Sequence, residues 1–486
     1  MKYIIALDEG TTSTRAVLFN THTQKIDKVK NIPIKQYYPQ PGFVEESATE
    51  IYSSTLAVLV DAIETAGLNQ VAGIAITNQR ETVIAWERST GKPLYNAIIW
   101  QCRRTMDYCA QIEKEYGNLI KDKTGLKVDA YFSASKINWL LTNVKEVKDA
   151  LYRNDLCVGT VETYLIFKLT GGKAFVTDYT NASRTMLYNI NTFEWDQELL
   201  DIFKVPKEIL PTVVSPDEVF GEYEYCGRKI PVAGSAGDQQ AAAIGQGCFE
   251  SGSAKITYGT GMFMLANIGG EPKQSKSLLT TLGYGYDKKP AYMFEGSVFN
   301  AGSAVQWLRD GLDFFKRSKD SEKLALSVEN TGGVYIVPAF TGLGSPYWRS
   351  DATGLITGIT RGTTKAHITR AVLEAMAYSA RDLIEIMQEE GGVSLDKLRV
   401  DGGASQNNFL MQFQADITNI TVDRPIERES TALGAAFLCQ IALKMRTPEE
   451  IAKARKSEKL FVASENREEF EKLYDGWKTA VKRCLL

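Results

Sequence analysis

Histidine is nearly missing: His22 and His367 are the only two in 486 residues. A His-based triad or a multi-histidine metal site is thereby nearly excluded, and acid–base work falls to carboxylates. Cysteine occurs seven times but never as CxxC, which indicates neither a disulfide framework nor a zinc module and reads as reduced, cytosolic thiols. No apolar run approaches the roughly 18 residues of a spanning helix. The opening MKYIIALDEG reaches a charge too early for a signal-peptide core. The expectation is a cytoplasmic chain with no integral membrane segment. An excess of one charge is also lacking: Lys plus Arg is 56 against Asp plus Glu 59, a net charge of −3. That excludes the basic footprint of a nucleic-acid binder and the repulsion of a disordered polyelectrolyte. Walker A is absent, and so is a strand–GxGxxG–helix unit, which removes the two commonest nucleotide cradles.

What is present is an ordinary globular mix, 44% hydrophobic and 24% charged, with strand and helix signals alternating throughout as in an α/β protein. Tyr3 to Leu7 is a buried-strand run, Glu9-Gly10-Thr11-Thr12 a turn, and Arg15 to Phe19 apolar again. Ser47-Ala48-Thr49-Glu50 has the form of a capping box before a helix through Ile51, Leu59 and Ile63 that Gly67 stops. Val71 to Thr77 and Thr82 to Trp86 read as strands around Asn78-Gln79-Arg80-Glu81. The second half repeats this grammar. Ala254 to Tyr258, the turn Gly259-Thr260-Gly261 and Met262 to Ala266 form a second strand–turn–strand unit. Ile368, Ala371, Val372, Ala375, Ser379 and Leu383 make a helical stripe ending at Gly391-Gly392, with His367 a structural residue near its start. Two lobes of about equal size are expected, residues 1–247 and 248–486, joined near the Gly-rich segment 245–252.

Two Gly- and Thr-rich turns can aim backbone N–H groups and hydroxyls at a polyphosphate, because Gly lets the chain approach and Thr adds a donor without charge. Either turn alone reads first as an ordinary hairpin. Asp8, at a strand end, can hold magnesium through water or stabilise the turn. Asp238, reached through Gly234-Ser235-Ala236-Gly237, is either a carboxylate facing a substrate or a helix N-cap.

Together the segments ALDEGTTSTR (6–15), ITNQRE (76–81), WQCRR (100–104), TDYTNASRTML (177–187), AGDQQAA (236–242), YGTGMFML (258–265), PAFTGLGSPYW (338–348) and DGGASQNNFLMQFQ (401–414) resemble the sugar and glycerol kinases of the FGGY family. That family lies within the actin, hexokinase and Hsp70 ATPase superfamily. The resemblance runs from about Tyr3 to Ala442. It also includes Tyr131 to Leu140 and the stretch from Gly354 to Glu374 as the two family signatures. It implies an α/β fold of two ribonuclease H-like (actin-like ATPase) lobes, with mixed sheets flanked by helices and the active site in the cleft between them. Pentulose kinases of the family usually carry something other than Asn-Gln-Arg-Glu at the substrate loop, so that loop points to glycerol.

The resemblance also implies roles. Asp238 would be the general base, and Arg80 and Glu81 the clamp on glycerol's hydroxyls. Tyr131 and Gln239 would add hydrogen bonds, while Trp100 and Phe263 wall the carbon chain. Thr11, Thr12, Ser13 and Arg15 would form the first phosphate loop and Thr260 the second. Gly302 and Gln306 would line the nucleotide, with Gly403 and Asn407 in the adenosine motif. Asp8 would carry magnesium through water. The implied reaction is ATP-dependent phosphorylation of glycerol to sn-glycerol 3-phosphate with ATP and Mg2+, in a homodimer or homotetramer. Glu9 departs from the family's usual Gln and either adds charge near phosphate or points away. Tyr225-Cys226-Gly227-Arg228-Lys229 is too short for the sugar-bisphosphate loop of some relatives, and neither His lies where others are phosphorylated. The alternatives are an FGGY kinase of another polyol or a ketose, and a non-catalytic actin- or chaperone-like switch. A switch has no need of Arg80, Glu81 and Asp238 together.

Overall fold

The computed structural model describes residues 1–286, 289–349 and 351–486. The chain divides into two units: residues 1–249, 280–292 and 430–454 form the first, and 250–279, 293–429 and 455–486 the second. The first break, between Phe249 and Glu250, falls in the Gly-rich segment. The sequence alone divides the chain once, at 247/248; the structure adds two later segments to the first unit.

The first unit is built on a six-stranded sheet. Its strands are β1 (Tyr3–Glu9), β2 (Ser13–Asn20), β3 (Lys25–Pro33), β4 (Val71–Asn78), β5 (Val219–Tyr225) and β6 (Arg228–Gly237). Their spatial order is β5-β6-β4-β1-β2-β3, with β1, β4 and β6 parallel and the hairpins β1/β2, β2/β3 and β5/β6 antiparallel. Residues β1 and β4 present no polar alternation because both sheet faces are covered. Helix α1 (Ala48–Ala66) lies on one face, where Ile5, Leu7, Ile74 and Ile76 meet Ile51, Val58, Leu59 and Ile63. The Ser47 hydroxyl accepts the Glu50 N–H at 3.2 Å, as the capping pattern predicts. The Glu50 carboxylate accepts from the Lys35 N–H instead of closing the box. The β5/β6 hairpin turns at Cys226-Gly227, both at positive φ, the geometry that matches strand twist.

The opposite face is covered by the helix Ser430–Ala442, which comes from late in the sequence. Phe437 packs edge-on against Phe19, with ring centroids 5.7 Å apart. The same helix crosses α2 (Asp238–Gly245) so closely that a side chain at Gly434 would strike the Ala241 carbonyl, and one at Gly245 the Ser430 carbonyl. This contact is why 430–454 belongs with the first unit. A repeating sequence grammar cannot reveal it, because it depends on two glycines 189 positions apart.

In the second unit the main-sheet strands are β7 (Ala254–Tyr258), β8 (Met262–Gly269), β9 (Pro290–Val298, from Met293 on in this unit), β10 (Lys397–Gly402), β11 (Thr421–Pro425) and β12 (Ser457–Phe461). They run in the order β9-β8-β7-β10-β11-β12. Strand β7 is antiparallel to β8 and parallel to β10, as β1 is antiparallel to β2 and parallel to β4. The two units thus share the order of four strands, β3-β2-β1-β4 and β9-β8-β7-β10, the duplication implied by the matching strand–turn–strand segments, and differ in the chain order of the outer pair. Helices α3 (Gly302–Asp310), α4 (Lys365–Gly391), α5 (Asn408–Thr418) and α6 (Arg467–Cys484) complete the unit's main frame. His367 is structural as expected: its Nδ1 accepts the Thr364 N–H at 3.2 Å, capping α4, which Gly392 ends in the left-handed conformation. Among the described residues no helix is long and apolar enough to cross a membrane.

Two buried acids lie beneath the first turn. Glu9 is fully buried and its Oε2 accepts the Thr14 hydroxyl at 2.7 Å and the Thr55 hydroxyl at 3.3 Å. The carboxyl therefore turns into the core toward α1, and burial holds it well above the usual carboxylate range. Glu46 accepts from Gln79 Nε2 at 2.7 Å and is pushed up to about 7 by burial. The folded state keeps a proton on Glu46 that the unfolded chain releases near 4.5, so this group withdraws stability as pH rises from about 4.5 through 7. Glu46→Gln is expected to gain thermal stability relative to the parent between pH 5 and 7.5, on the order of 3 kcal/mol in full. Melting curves across that range test it; a pH-independent difference contradicts it. Gly434→Ala should cost about 1–3 kcal/mol through overpacking, whereas Gly403→Ala, where an added Cβ meets nothing within 4 Å, should leave the melting temperature unchanged.

Candidate functional site

Parallel strands in one sheet end on the same side, and the loops that leave those ends converge. In the first unit Glu9 and Gly237 are both in register with Asn78. Asp8, the loop Asn78–Glu81 and Asp238 therefore emerge at one edge. The N-cap of α2 is Gly237, and Asp238 is the first residue inside the helix. Of the two readings open for Asp238, the capping one is thus not what the chain does. Its Oδ1 accepts its neighbour's Gln239 N–H at 2.7 Å and lies 3.1 Å from Arg80 Nε. Its Oδ2 accepts from Gln239 Nε2 at 3.3 Å. The Asp238 side chain keeps 34% exposure while Arg80 keeps 2%. A buried guanidinium thus fixes an accessible carboxylate at a helix N-terminus, where the helix dipole favours negative charge.

Arg80 also donates through Nη1 to Gln240 Oε1 at 3.3 Å, which fixes the fork's orientation. Glu81 stands at φ +62°, a conformation non-glycine residues seldom adopt and one common at functional loops. Its carboxylate is held by Arg184 Nε at 2.7 Å and sits 3.8 Å from Arg80 Nε, with all three side chains buried. These are not surface ion pairs. Removing one member of such a buried set leaves uncompensated charge, a cost of several kcal/mol. The Arg184 guanidinium stacks over the Phe132 ring at 5.2 Å.

Trp100 is tied to the first turn: its Nε1–H donates to Thr11 Oγ1 at 2.9 Å, and its ring meets Tyr131 edge-on at 5.7 Å. The chain behind Tyr131 is braced by fully buried Lys136, whose Nζ donates to the carbonyls of Tyr131 at 2.5 Å and Ala130 at 3.2 Å. Burial lowers Lys136 to about 8. The first turn closes with the Gly10 N–H on the Ser13 carbonyl at 3.0 Å. Thr12 is exposed at its tip, Ser13 is buried at the start of β2, and half-buried Arg15 is in register with Asp8 across the hairpin. Neither Arg184 nor Lys136 is marked out for a role by residue type or motif in the sequence. The available signal was a lone cation in each otherwise small or apolar segment, which cannot be buried without partners.

In the second unit the Gly259–Gly261 turn is gripped by the start of α3. The N–H groups of Ala301 and Ser303 both donate to the Thr260 carbonyl at 3.0 Å, and Gly302 N–H to the Gly259 carbonyl at 3.1 Å. A side chain at Gly302 would strike that carbonyl. Tyr258 and Gly402 are in register, so the turn after β10 lies at the same sheet end. There Gly402, at φ +84°, is the structurally required glycine, because a Cβ would hit Tyr258 backbone. Gly403 is exposed with open space at its Cα. Asn407 caps α5 by accepting the Leu410 N–H at 3.0 Å. Gln306 is exposed on α3 and Phe263 is half-buried on β8. Thr260, Gly302 and the Gly402–Gly403 turn are thus gathered, while Gln306 and Asn407 flank them on helices.

Among the described residues no group of three or more His, Cys, Asp or Glu side chains forms a ready metal cage. Magnesium does not need one: it is usually held through one or two carboxylates together with water and phosphate oxygens. Asp8, at the β1 end on the same edge as Asp238, fits that demand.

Residues 3–245 match the N-terminal domain of the FGGY family of carbohydrate kinases, and residues 254–443 its C-terminal domain. A glycerol kinase of Geobacillus sp. (strain WCH70) is 50% identical over 100% of this chain and 99% of its own length. Glycerol kinase 2 of Thermotoga maritima is likewise 50% identical over 100% of this chain and 99% of its own. The crystal structure of Plasmodium falciparum glycerol kinase with ADP superimposes with a TM-score of 0.94 at 36% identity, covering 100% of this chain and 99% of that one. Xylulose kinase of Lactobacillus acidophilus, at 24% identity, shares the fold with a TM-score of 0.88, covering 100% of this chain and 98% of that one. With both domains matched across nearly its whole length, the chain belongs to the FGGY family of carbohydrate kinases.

Proposed function

We infer that this chain transfers the γ-phosphoryl group of ATP to glycerol, giving sn-glycerol 3-phosphate and ADP. The observation that carries the assignment is the half-buried but accessible Asp238 carboxylate held 3.1 Å from buried Arg80, which is itself beside Glu81. Half-identical glycerol kinases along the full chain support the choice of substrate.

A three-carbon triol presents hydroxyls on neighbouring carbons. A guanidinium donates to one and a carboxylate accepts from another, so Arg80 and Glu81 read two at once. Tyr131 and Gln239 add hydrogen bonds, and the faces of Trp100 and Phe263 shelter the carbon chain. Asp238 takes the proton of the attacking primary hydroxyl as its oxygen bonds to the γ-phosphorus and the bond to the β–γ bridging oxygen breaks. A base within hydrogen-bond reach satisfies the first requirement, geometry. The rest of phosphoryl transfer is positioning and charge neutralisation. Thr11, Thr12, Ser13 and Arg15 in the first unit and Thr260 in the second bind phosphate through turn N–H groups, hydroxyls and one guanidinium. Gly302, Gln306, Gly403 and Asn407 receive the nucleoside. Asp8 would hold magnesium, which would supply charge neutralisation at the phosphates. Because Glu9 is buried toward α1, its carboxyl adds no charge to the first phosphate loop.

A coupled ADP-release assay on glycerol tests the reading. Asp238→Asn preserves shape and removes the base, with an expected rate loss on the order of 10²–10⁴, and the parent should prefer glycerol to ketoses. Undiminished turnover by the amide variant, or a clear preference for a ketose, contradicts it.

A further inference from the structure

Asp238 stands at the end of a strand, and a strand end is as precise as whatever holds its last residues. The Gly237 N–H, the last backbone donor before Asp238, goes to the Thr180 hydroxyl at 3.0 Å. That hydroxyl in turn donates to Asp178 Oδ1 in a short hydrogen bond. Its proton direction is therefore set, and its lone pair is left facing Gly237. Asp178 is completely buried. Its Oδ1 also accepts the N–H of Thr180 at 2.9 Å and of Asn181 at 3.2 Å. Its Oδ2 accepts from Asn181 Nδ2 at 2.8 Å and from the Ser235 hydroxyl at 3.0 Å.

The second arm of this junction reaches the substrate loop. Asn181 exchanges a pair of amide hydrogen bonds with Asn78, each 3.1 Å. Asn78 Nδ2 also donates to the Gln79 carbonyl at 3.0 Å, one residue before Arg80. The same segment carries Arg184, the 2.7 Å partner of Glu81. One short stretch, Asp178–Arg184, therefore grips the end of β6 through Thr180, the end of β4 through Asn181 and the clamp carboxylate through Arg184. None of these residues needs to touch a substrate to set where Asp238, Arg80 and Glu81 stand.

We propose that Asp178, acting through Thr180, is a positioning residue for phosphoryl transfer, fixing the Asp238 carboxylate relative to the Arg80–Glu81 clamp. The proposal rests on the reading of Asp238 as the base. A positioned base is sensitive to small errors, since a displacement of about 1 Å costs on the order of 10²-fold in rate. Losing the Thr180 hydroxyl frees Gly237 and leaves its buried N–H without an acceptor. Nothing on the nucleotide side is altered by that change, so the effect is confined to glycerol and to the chemical step.

The test compares Thr180→Val, which keeps the shape and removes the hydroxyl, with Thr180→Ser, which keeps the hydroxyl. Asp178→Asn is the blunter probe, because it places an amide donor among the donors that the two carboxylate oxygens accept from. Thr180→Val should lower kcat on glycerol by about 10–100-fold and raise the glycerol KM, with the ATP KM within about twofold of the parent. Thr180→Ser should restore kcat to within about threefold. A folded Thr180→Val enzyme with parental kcat and glycerol KM overturns the proposal, whatever its melting temperature. Should Thr180→Val fail to fold, Ser235→Ala takes its place by removing one Asp178 partner. A loss on the glycerol side then supports the proposal, and parental kinetics overturn it. Asp238→Asn is run in parallel. If it turns over normally, the base assignment itself is wrong; if it is inactive and Thr180→Val is normal, only the positioning role falls.

Discussion

The arrangement depends on one interaction, the contact between the Arg80 guanidinium and the Asp238 carboxylate at 3.1 Å. One partner is sealed in the protein and the other remains reachable from solvent. A buried cation is tolerated only when it is paired and hydrogen-bonded, and Arg80 meets that condition through Asp238, Glu81 and Gln240. The requirement runs outward: Glu81 needs Arg184, Arg184 sits on the segment that Asp178 caps, and that segment holds Gly237. The charges are thus satisfied as a set, which makes the edge of the first sheet rigid where chemistry needs it to be.

The fold supplies the platform by repeating one device. In each unit a hairpin's first strand is flanked on its other side by a parallel strand, and the turn of that hairpin is rich in Gly and Thr. Such turns expose backbone N–H groups, which are suited to phosphate oxygens. The helix 430–442 then presses on α2 through glycine-mediated contacts, so residues near the end of the sequence help to set the helix that begins with Asp238.

Much of this was legible in the sequence for identifiable reasons. β1 and β4 are covered on both faces, so they appear as unbroken apolar runs, and the Ser47 cap follows from residue type and spacing. The motif residues at the strand ends were found through family resemblance, and the structure gathers Asp8, Arg80, Glu81 and Asp238 at one edge. What stayed hidden depends on three-dimensional partners. Whether Glu9 faces the turn or the core could not be read from its position, yet Thr14 and Thr55 settle it. Gly402 rather than Gly403 bears the backbone constraint, and the sequence does not separate them, because two adjacent glycines differ only in φ and in what lies above them. Arg184 and Asp178 are polar residues of one motif in the sequence, and their roles depend on the partners that complete burial requires.

The most direct measurement is a crystal structure of the protein with glycerol bound. The account predicts one terminal hydroxyl within hydrogen-bond distance of an Asp238 carboxylate oxygen, with the other hydroxyls on Arg80 and Glu81. Glycerol bound away from Asp238, or bound there with its hydroxyls turned from both Arg80 and Glu81, would contradict it.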